Sequence, residues 1–128
     1  MIGGRTVRGG NLSAHERYDA DADRWVALAP LPRAQGGLAA ATLHGSSWAL
    51  GGEWTEQGGG GVFGIVWRYD AARDGWDRAG TLPEPRHGLG AVALGGRIRV
   101  VGGATQPGAA GTSPRVDVFL PRDGGGRS

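Results

Sequence analysis

The sequence has no cysteine and no lysine. Without cysteine there is no disulfide framework, no thiolate nucleophile and no cysteine-type zinc site, and the redox compartment stays open. Without lysine there is no Walker A phosphate loop, and all 14 basic residues are arginine. Long apolar runs are lacking as well. The longest uncharged stretch, Ala34 to Gly52, is interrupted by Gln35, His44, Ser46, Ser47 and several glycines, so it suits two short strands and a turn and not a membrane span. Residues 1–10 carry arginines but no apolar centre, and no secretory signal is expected there. Charge of one sign is scarce. A net charge of +2 is too small to argue for nucleic acid, and the high isoelectric point follows from arginine, which does not titrate near pH 9. The Ala/Gly/Arg bias is the mark of a GC-rich coding sequence and carries no chemistry.

What is present in excess is glycine, 27 of 128 residues, and it recurs in register. Sliding the chain by 51 places Arg17-Tyr18-Asp19-Ala20 on Arg68-Tyr69-Asp70-Ala71, Trp25 on Trp76, Leu31-Pro32 on Leu82-Pro83, and Gly51-Gly52 on Gly102-Gly103. Without a gap, 15 of the 36 positions from Arg17 to Gly52 are identical, far above the roughly one in ten that composition alone would give. Ile2-Gly3-Gly4 resembles the end of the segments closing at Gly52 and Gly103, and Val116-Asp117-Val118-Phe119 resembles Val66-Trp67-Arg68-Tyr69.

Each unit predicts four short strands, a to d. Strand a is Leu38–Leu43 and Leu89–Leu94. It turns through His44-Gly45 or Gly95-Gly96, pairs suited to a primed hairpin turn, into strand b, Ser47–Leu50 and Ile98–Val101. A glycine-rich loop leads to strand c, Ile65–Tyr69 and Val116–Phe119, and an Asp-rich turn to strand d, Trp25–Leu28 and Trp76–Ala79. Pro32 and Pro83 break the chain before the next strand a. No segment sustains a 3.6-residue apolar period.

Diglycine, a loop, Tyr-Asp, Trp seven residues on and then Leu-Pro, at about 50 residues per unit, resembles the kelch repeat. The resemblance runs from Ile2 to Pro121. It implies an all-β protein, a kelch-type β-propeller fragment of four-stranded antiparallel blades. Residues 1–32 are expected to form a partial blade of strands b, c and d, residues 33–83 a complete blade, and residues 84–121 a partial blade of strands a, b and c. A Gly/Arg-rich tail follows at residues 122–128. About two and a half repeats cannot close a propeller, so upstream blades are expected, the alternative being short chains that assemble into a ring. The structural repeat positions are Gly51, Gly52, Gly102 and Gly103 at the diglycines and Tyr18, Trp25, Tyr69 and Trp76 as core aromatics between blades.

Other motifs carry little. Gly59-Gly60-Gly61-Val62-Phe63-Gly64 fits GxGxxG and Gly88 to Ala93 its Ala variant, but strand-like residues follow both where a dinucleotide site needs a helix. Asp19, Asp21 and Asp23 lack the later ligands of a calcium loop. His15, His44 and His87 lack metal-ligand spacing, and Asn11-Leu12-Ser13 is a sequon of the kind common by chance. No catalytic constellation, metal site or cofactor is expected.

In propellers of this family the d–a and b–c loops share one face, and the resemblance implies that this face takes partners. Its candidate binding residues are Arg5, Arg33, Glu53, Trp54, Arg86 and His87, beside Arg8, Gln35, Glu56, Gln57, Thr105 and Gln106 in the same loops. Arg33 and Arg86 are expected to be exposed. The function expected is a protein- or peptide-binding scaffold, not catalytic by itself. The alternatives are a fragment of a kelch-fold carbohydrate-active enzyme, galactose oxidase-like or sialic-acid mutarotase-like, and a lectin-like oligomer. Neither nucleic acid nor membrane is expected as a partner.

Overall fold

The computed structural model describes residues 1–8, 10–56 and 59–121. Gln57 and the tail at residues 122–128 lie outside the described residues. Every named element is a strand: β1 Arg5–Thr6, β2 Gly10–Asn11, β3 Glu16–Asp19, β4 Arg24–Ala27, β5 Ala39–Leu43, β6 Ser46–Leu50, β7 Glu53–Glu56, β8 Gly59–Val62, β9 Ile65–Asp70, β10 Gly75–Thr81, β11 Gly90–Leu94, β12 Arg97–Val101 and β13 Val116–Phe119.

The complete blade is the antiparallel sheet β10-β9-β6-β5, which is d-c-b-a across the sheet. The third unit gives β11-β12-β13, and the first gives the β3-β4 hairpin. Strand b of the first unit is reduced to one antiparallel bridge between Ile2 and His15. The a–b turns take the left-handed conformation at both central residues, φ 53° and 74° at His44-Gly45 and 64° and 75° at Gly95-Gly96, as primed turns require.

The second blade is covered on both faces because blade packs on blade. Ile98 and Val100 point back toward the second blade and join Ala39, Trp48, Leu50, Val66, Leu82 and Leu89 in one core, with Phe119 packed against it. Leu50, Val66, Ile98 and Val100 are fully buried, and each such side chain contributes roughly 1.5–3 kcal/mol relative to an exposed one. The Trp48 and Phe119 rings meet across this seam at 5.8 Å. At the preceding seam, His15 fits edge-on between Tyr69 at 4.5 Å and Trp76 at 5.0 Å. Trp76 Nε1 donates to Ala29 O at 3.0 Å, and the Ala29 amide donates to Asp74 Oδ1 at 2.9 Å, so one residue of the first unit ties both partners of the second.

The expected core placement fails for Tyr18 and Trp25. They hold the same repeat positions as Tyr69 and Trp76, and their rings still meet at 5.3 Å, but they are 47% and 57% exposed. A ring at this position is buried only by the blade in front of it, and the described residues place none before the first unit.

The diglycines keep one conformation in all three units: φ 61° then 109° at Gly3-Gly4, 68° then 112° at Gly51-Gly52, and 65° then 95° at Gly102-Gly103. A side chain at Gly51 would stand 2.5 Å from Arg86 O, which states the steric reason for glycine there.

Candidate functional site

Three connections crowd the face where b–c and d–a loops emerge: the β1–β2 hairpin, the β7–β8 hairpin, and the loop over residues 102–115. The second is a correction. The sequence suggested an open glycine-rich loop, whereas Glu53 pairs with Val62, Trp54 with Gly61, Thr55 with Gly60 and Glu56 with Gly59. Glycine serves a packing purpose at Gly61, because a Cβ there would stand 2.2 Å from the Trp54 ring, which lies flat across the opposite strand.

The candidate residues divide into an exposed set and a buried set. Arg5, Arg33 and Trp54 are exposed, although Trp54 is only 37% so. Its ring meets Phe63 at 4.8 Å, and the Arg33 guanidinium lies 5.6 Å from the centre of the same Phe63 ring. Arg33, Phe63 and Trp54 therefore form one cation–aromatic stack, with Phe63 buried beneath it.

Glu53, Arg86 and His87 are buried, against the expectation that they face solvent. Arg86 is fully buried, with Nη1 donating to Gly102 O at 3.1 Å and Arg115 O at 2.8 Å and Nη2 donating to Asp117 Oδ2 at 2.5 Å. A buried guanidinium survives because it is paired and bonded on several sides. Its Nε and the Oδ1 of Asn11 are buried without a hydrogen-bond partner among the described residues.

Gln35 stands 51 residues before Arg86 and does the same work. Its Nε2 donates to Gly51 O at 2.5 Å, and its Oε1 accepts from Trp67 Nε1 at 2.8 Å. Backbone bonds complete a relay between units. The Gly4 amide donates to Gln35 O at 2.9 Å, Gln35 reaches Gly51, the Gly52 amide donates to Arg86 O at 2.8 Å, and Arg86 reaches Gly102.

Glu53 is the junction of the face. Its carboxylate accepts from Arg5 of the first unit and from the Gly108 amide at 2.9 Å in the third, and its backbone carbonyl accepts from Asn11 Nδ2 at 2.6 Å. His87 Nε2 is 2.7 Å from Gln106 O and 3.4 Å from Glu53 Oε2. A carbonyl partner requires a proton on that nitrogen. Burial disfavours the Glu53 charge, but the Gly108 amide, the Arg5 guanidinium and His87 outweigh it and hold the carboxyl below its ordinary range. Beside this junction, His87, Gly88, Gly103, Ala104, Gly108, Ala109, Thr112 and Ser113 line a shallow cleft of about 350 Å³.

Sequence reasoning missed Phe63, Asn11 and Gly108, and treated Gln35 as a free loop residue. The repeat alignment was the available signal for Gln35, since it superposes Gln35 on Arg86, two long side chains with terminal N–H donors.

On the opposite face, the c–d turns are closed by Asp19 and Asp70, whose carboxylates accept the amides two and three residues on. Tyr69 donates to Asp74 Oδ1 at 2.5 Å, and this bond with burial pushes the phenol up to about 12. Among the described residues, no group of three or more His, Asp or Glu is placed to hold a metal.

No protein-family model matches the chain. Curated relatives match it nearly end to end. "Kelch-like protein terF" of Aspergillus terreus is 34% identical over 94% of this chain and 27% of its own length. "Alpha-scruin" of Limulus polyphemus is 29% identical over 97% of this chain and 14% of its own length, and mouse "Kelch-like protein 35" is 27% identical over 97% and 20%. The chain thus spans about a quarter or less of these relatives. The solved "Structure of YjhT" superposes with a TM-score of 0.82 at 18% identity, covering 96% of this chain and 40% of that one, which shows the fold.

Proposed function

The chain belongs to the kelch-repeat family, and from that premise we propose that it is a protein- or peptide-binding segment whose contact face is built on the β7–β8 hairpin and the d–a loop beside it. The observation that carries this is the Arg33–Phe63–Trp54 stack. An arginine and a tryptophan held side by side, half in solvent and backed by a buried ring, offer large contact area at little ordering cost, and these residue types are enriched where binding energy concentrates. Arg5 extends the face from the first unit, oriented by Glu53. Arg86, Glu53 and His87 act from beneath it, fixing the loops. Loops on a regular scaffold are free to vary, and Glu53-Trp54 stands where the next unit has Ala104-Thr105.

The test uses the immobilised chain to enrich proteins from a lysate, in three forms: wild type, Arg33→Ala with Trp54→Ala, and Asp21→Ala with Arg73→Ala. Partners lost from the first double variant, with unchanged melting, and kept by the second support the reading. Partners kept by the first and lost from the second place the contact on the c–d turns and refute it. Carbohydrate is the alternative occupant, because the exposed Trp54 ring also suits a sugar face. Release of the enriched partners by free monosaccharide would assign the site that way.

A further inference from the structure

We infer that Asp74-Gly75 is a latent isomerisation site: the bonds that join the first unit to the second hold the reaction back, and the reaction, once it occurs, breaks them. Aspartate isomerises most readily before glycine, which has no side chain to hinder approach to its amide. The reaction needs no partner but water. The Gly75 amide nitrogen attacks Asp74 Cγ, the N–Cγ bond forms, and the carboxyl hydroxyl leaves as water with the amide proton. Water then opens the cyclic imide. Opening at the main-chain carbonyl leaves the chain running through Cγ, one carbon longer, with a carboxylate on Cα. Opening at Cγ restores aspartate.

The turn offers the reaction its site. Asp74 is exposed and takes a left-handed backbone, φ 50°, which short polar side chains tolerate. Gly75 has no positive φ, and a Cβ there would meet nothing within 4 Å, so neither backbone nor packing requires glycine at this position. The turn also restrains the reaction. Asp74 Oδ1 accepts from the Tyr69 hydroxyl at 2.5 Å and from the Ala29 amide of the first unit at 2.9 Å. Turning Cγ toward the Gly75 nitrogen breaks both bonds. The attack also needs a protonated carboxyl, whose hydroxyl can leave, and the Tyr69 hydroxyl and Ala29 amide hold the group ionised, below its ordinary range.

The first unit repeats the turn without the reactive neighbour. Asp23 stands 51 residues before Asp74, has φ 50° and accepts from the Tyr18 hydroxyl at 2.5 Å, but Arg24 follows it where Gly75 follows Asp74. It is an internal reference in the same chain. Isomerisation would have a local consequence: the added carbon moves the carboxylate away from Tyr69 and Ala29, and the seam between the first and second units loosens at this turn. The inference uses none of the loop-face residues and stands apart from the proposed partner binding.

The test is warm incubation of the 128-residue chain at neutral pH, with isoaspartate at residue 74 read by peptide mapping against synthetic standards. The expected result is slow conversion in buffer and several-fold faster conversion in denaturant, with Asp23 lagging in both. Tyr69→Phe keeps the ring and loses the donor, so it should convert several-fold faster than wild type in buffer, and adding Gly75→Ala should remove that gain. Glu53→Gln weakens the chain on the opposite face and keeps the Tyr69–Asp74 bond, so it should convert at the wild-type rate. Should Tyr69→Phe fail to fold, the isolated isoaspartate form carries the test: its Ala29 amide should exchange faster, while the Leu28 amide, bonded to His15 O at 2.9 Å, stays protected. Equal conversion in buffer and denaturant, a Tyr69→Phe variant no faster than wild type, a Glu53→Gln variant as fast as Tyr69→Phe, or an isoaspartate form with unchanged Ala29 exchange overturns the inference.

Discussion

Trp76 and Trp25 occupy one repeat position and differ only in what stands in front of them, so truncating each to alanine separates the worth of the position from the worth of the seam. Trp76 is half-buried, touches His15 and Tyr69, and donates to Ala29 O. A fully buried aromatic costs about 3–5 kcal/mol on truncation. Half burial scales that to roughly 2–3 kcal/mol, the lost hydrogen bond being about 1 kcal/mol of it. Trp25 is 57% exposed and, among the described residues, its ring meets that of Tyr18, so its loss should cost about 0.5–1 kcal/mol. The gap of about 2 kcal/mol should separate the two urea midpoints by roughly 1 M at the slope usual for small domains. Equal midpoints would show that the Tyr69–Trp76–His15 seam does not stabilise the chain and that the account of blade packing is wrong.

Arg86→Met should destabilise by about 3 kcal/mol, because it leaves Asp117 with only the half-exposed Arg115 guanidinium as partner and strips the Gly102 carbonyl of its side-chain donor, and denaturant titration reads it; a loss under about 1 kcal/mol would show that the buried pair contributes little. In acid, the sign follows from a folded Glu53 carboxyl held below its ordinary value of 4.5: its stabilising charge is fully present above that value and is lost as pH falls through the lower folded value. Glu53→Gln should therefore be less stable at neutral pH and lose less stability than wild type below about pH 4.5, as melting over a pH series will show. The remaining acid slope belongs in part to Asp70, lowered by Arg73, and Asp74, lowered by Tyr69 and the Ala29 amide.

The repeat made most of the fold legible because its strongest signals are steric. The diglycines adopt backbone angles that side chains resist, and His44-Gly45 and Gly95-Gly96 turn as their glycines suggest. Exposure was less legible. A repeat position says which face a residue belongs to, and the presence of a neighbour decides whether that face is wet, which is why Tyr18 and Trp25 were misplaced. The loop face was the least legible part. Gln35 and Arg86 differ in charge, yet both reach a diglycine carbonyl, and the equivalence rests on side-chain length and donor geometry. Glu53 followed a diglycine like any loop residue, and its burial depends on Arg5 and Gly108, 48 and 55 residues away in sequence.

Partner binding on the face where b–c and d–a loops emerge, as proposed, is read by amide hydrogen exchange on the chain, free and saturated with an enriched partner. Slowed exchange at residues 33–36 and 53–55, with the c–d turns at residues 19–24 and 70–75 unchanged, is the predicted result. Slowed exchange confined to those turns would contradict it.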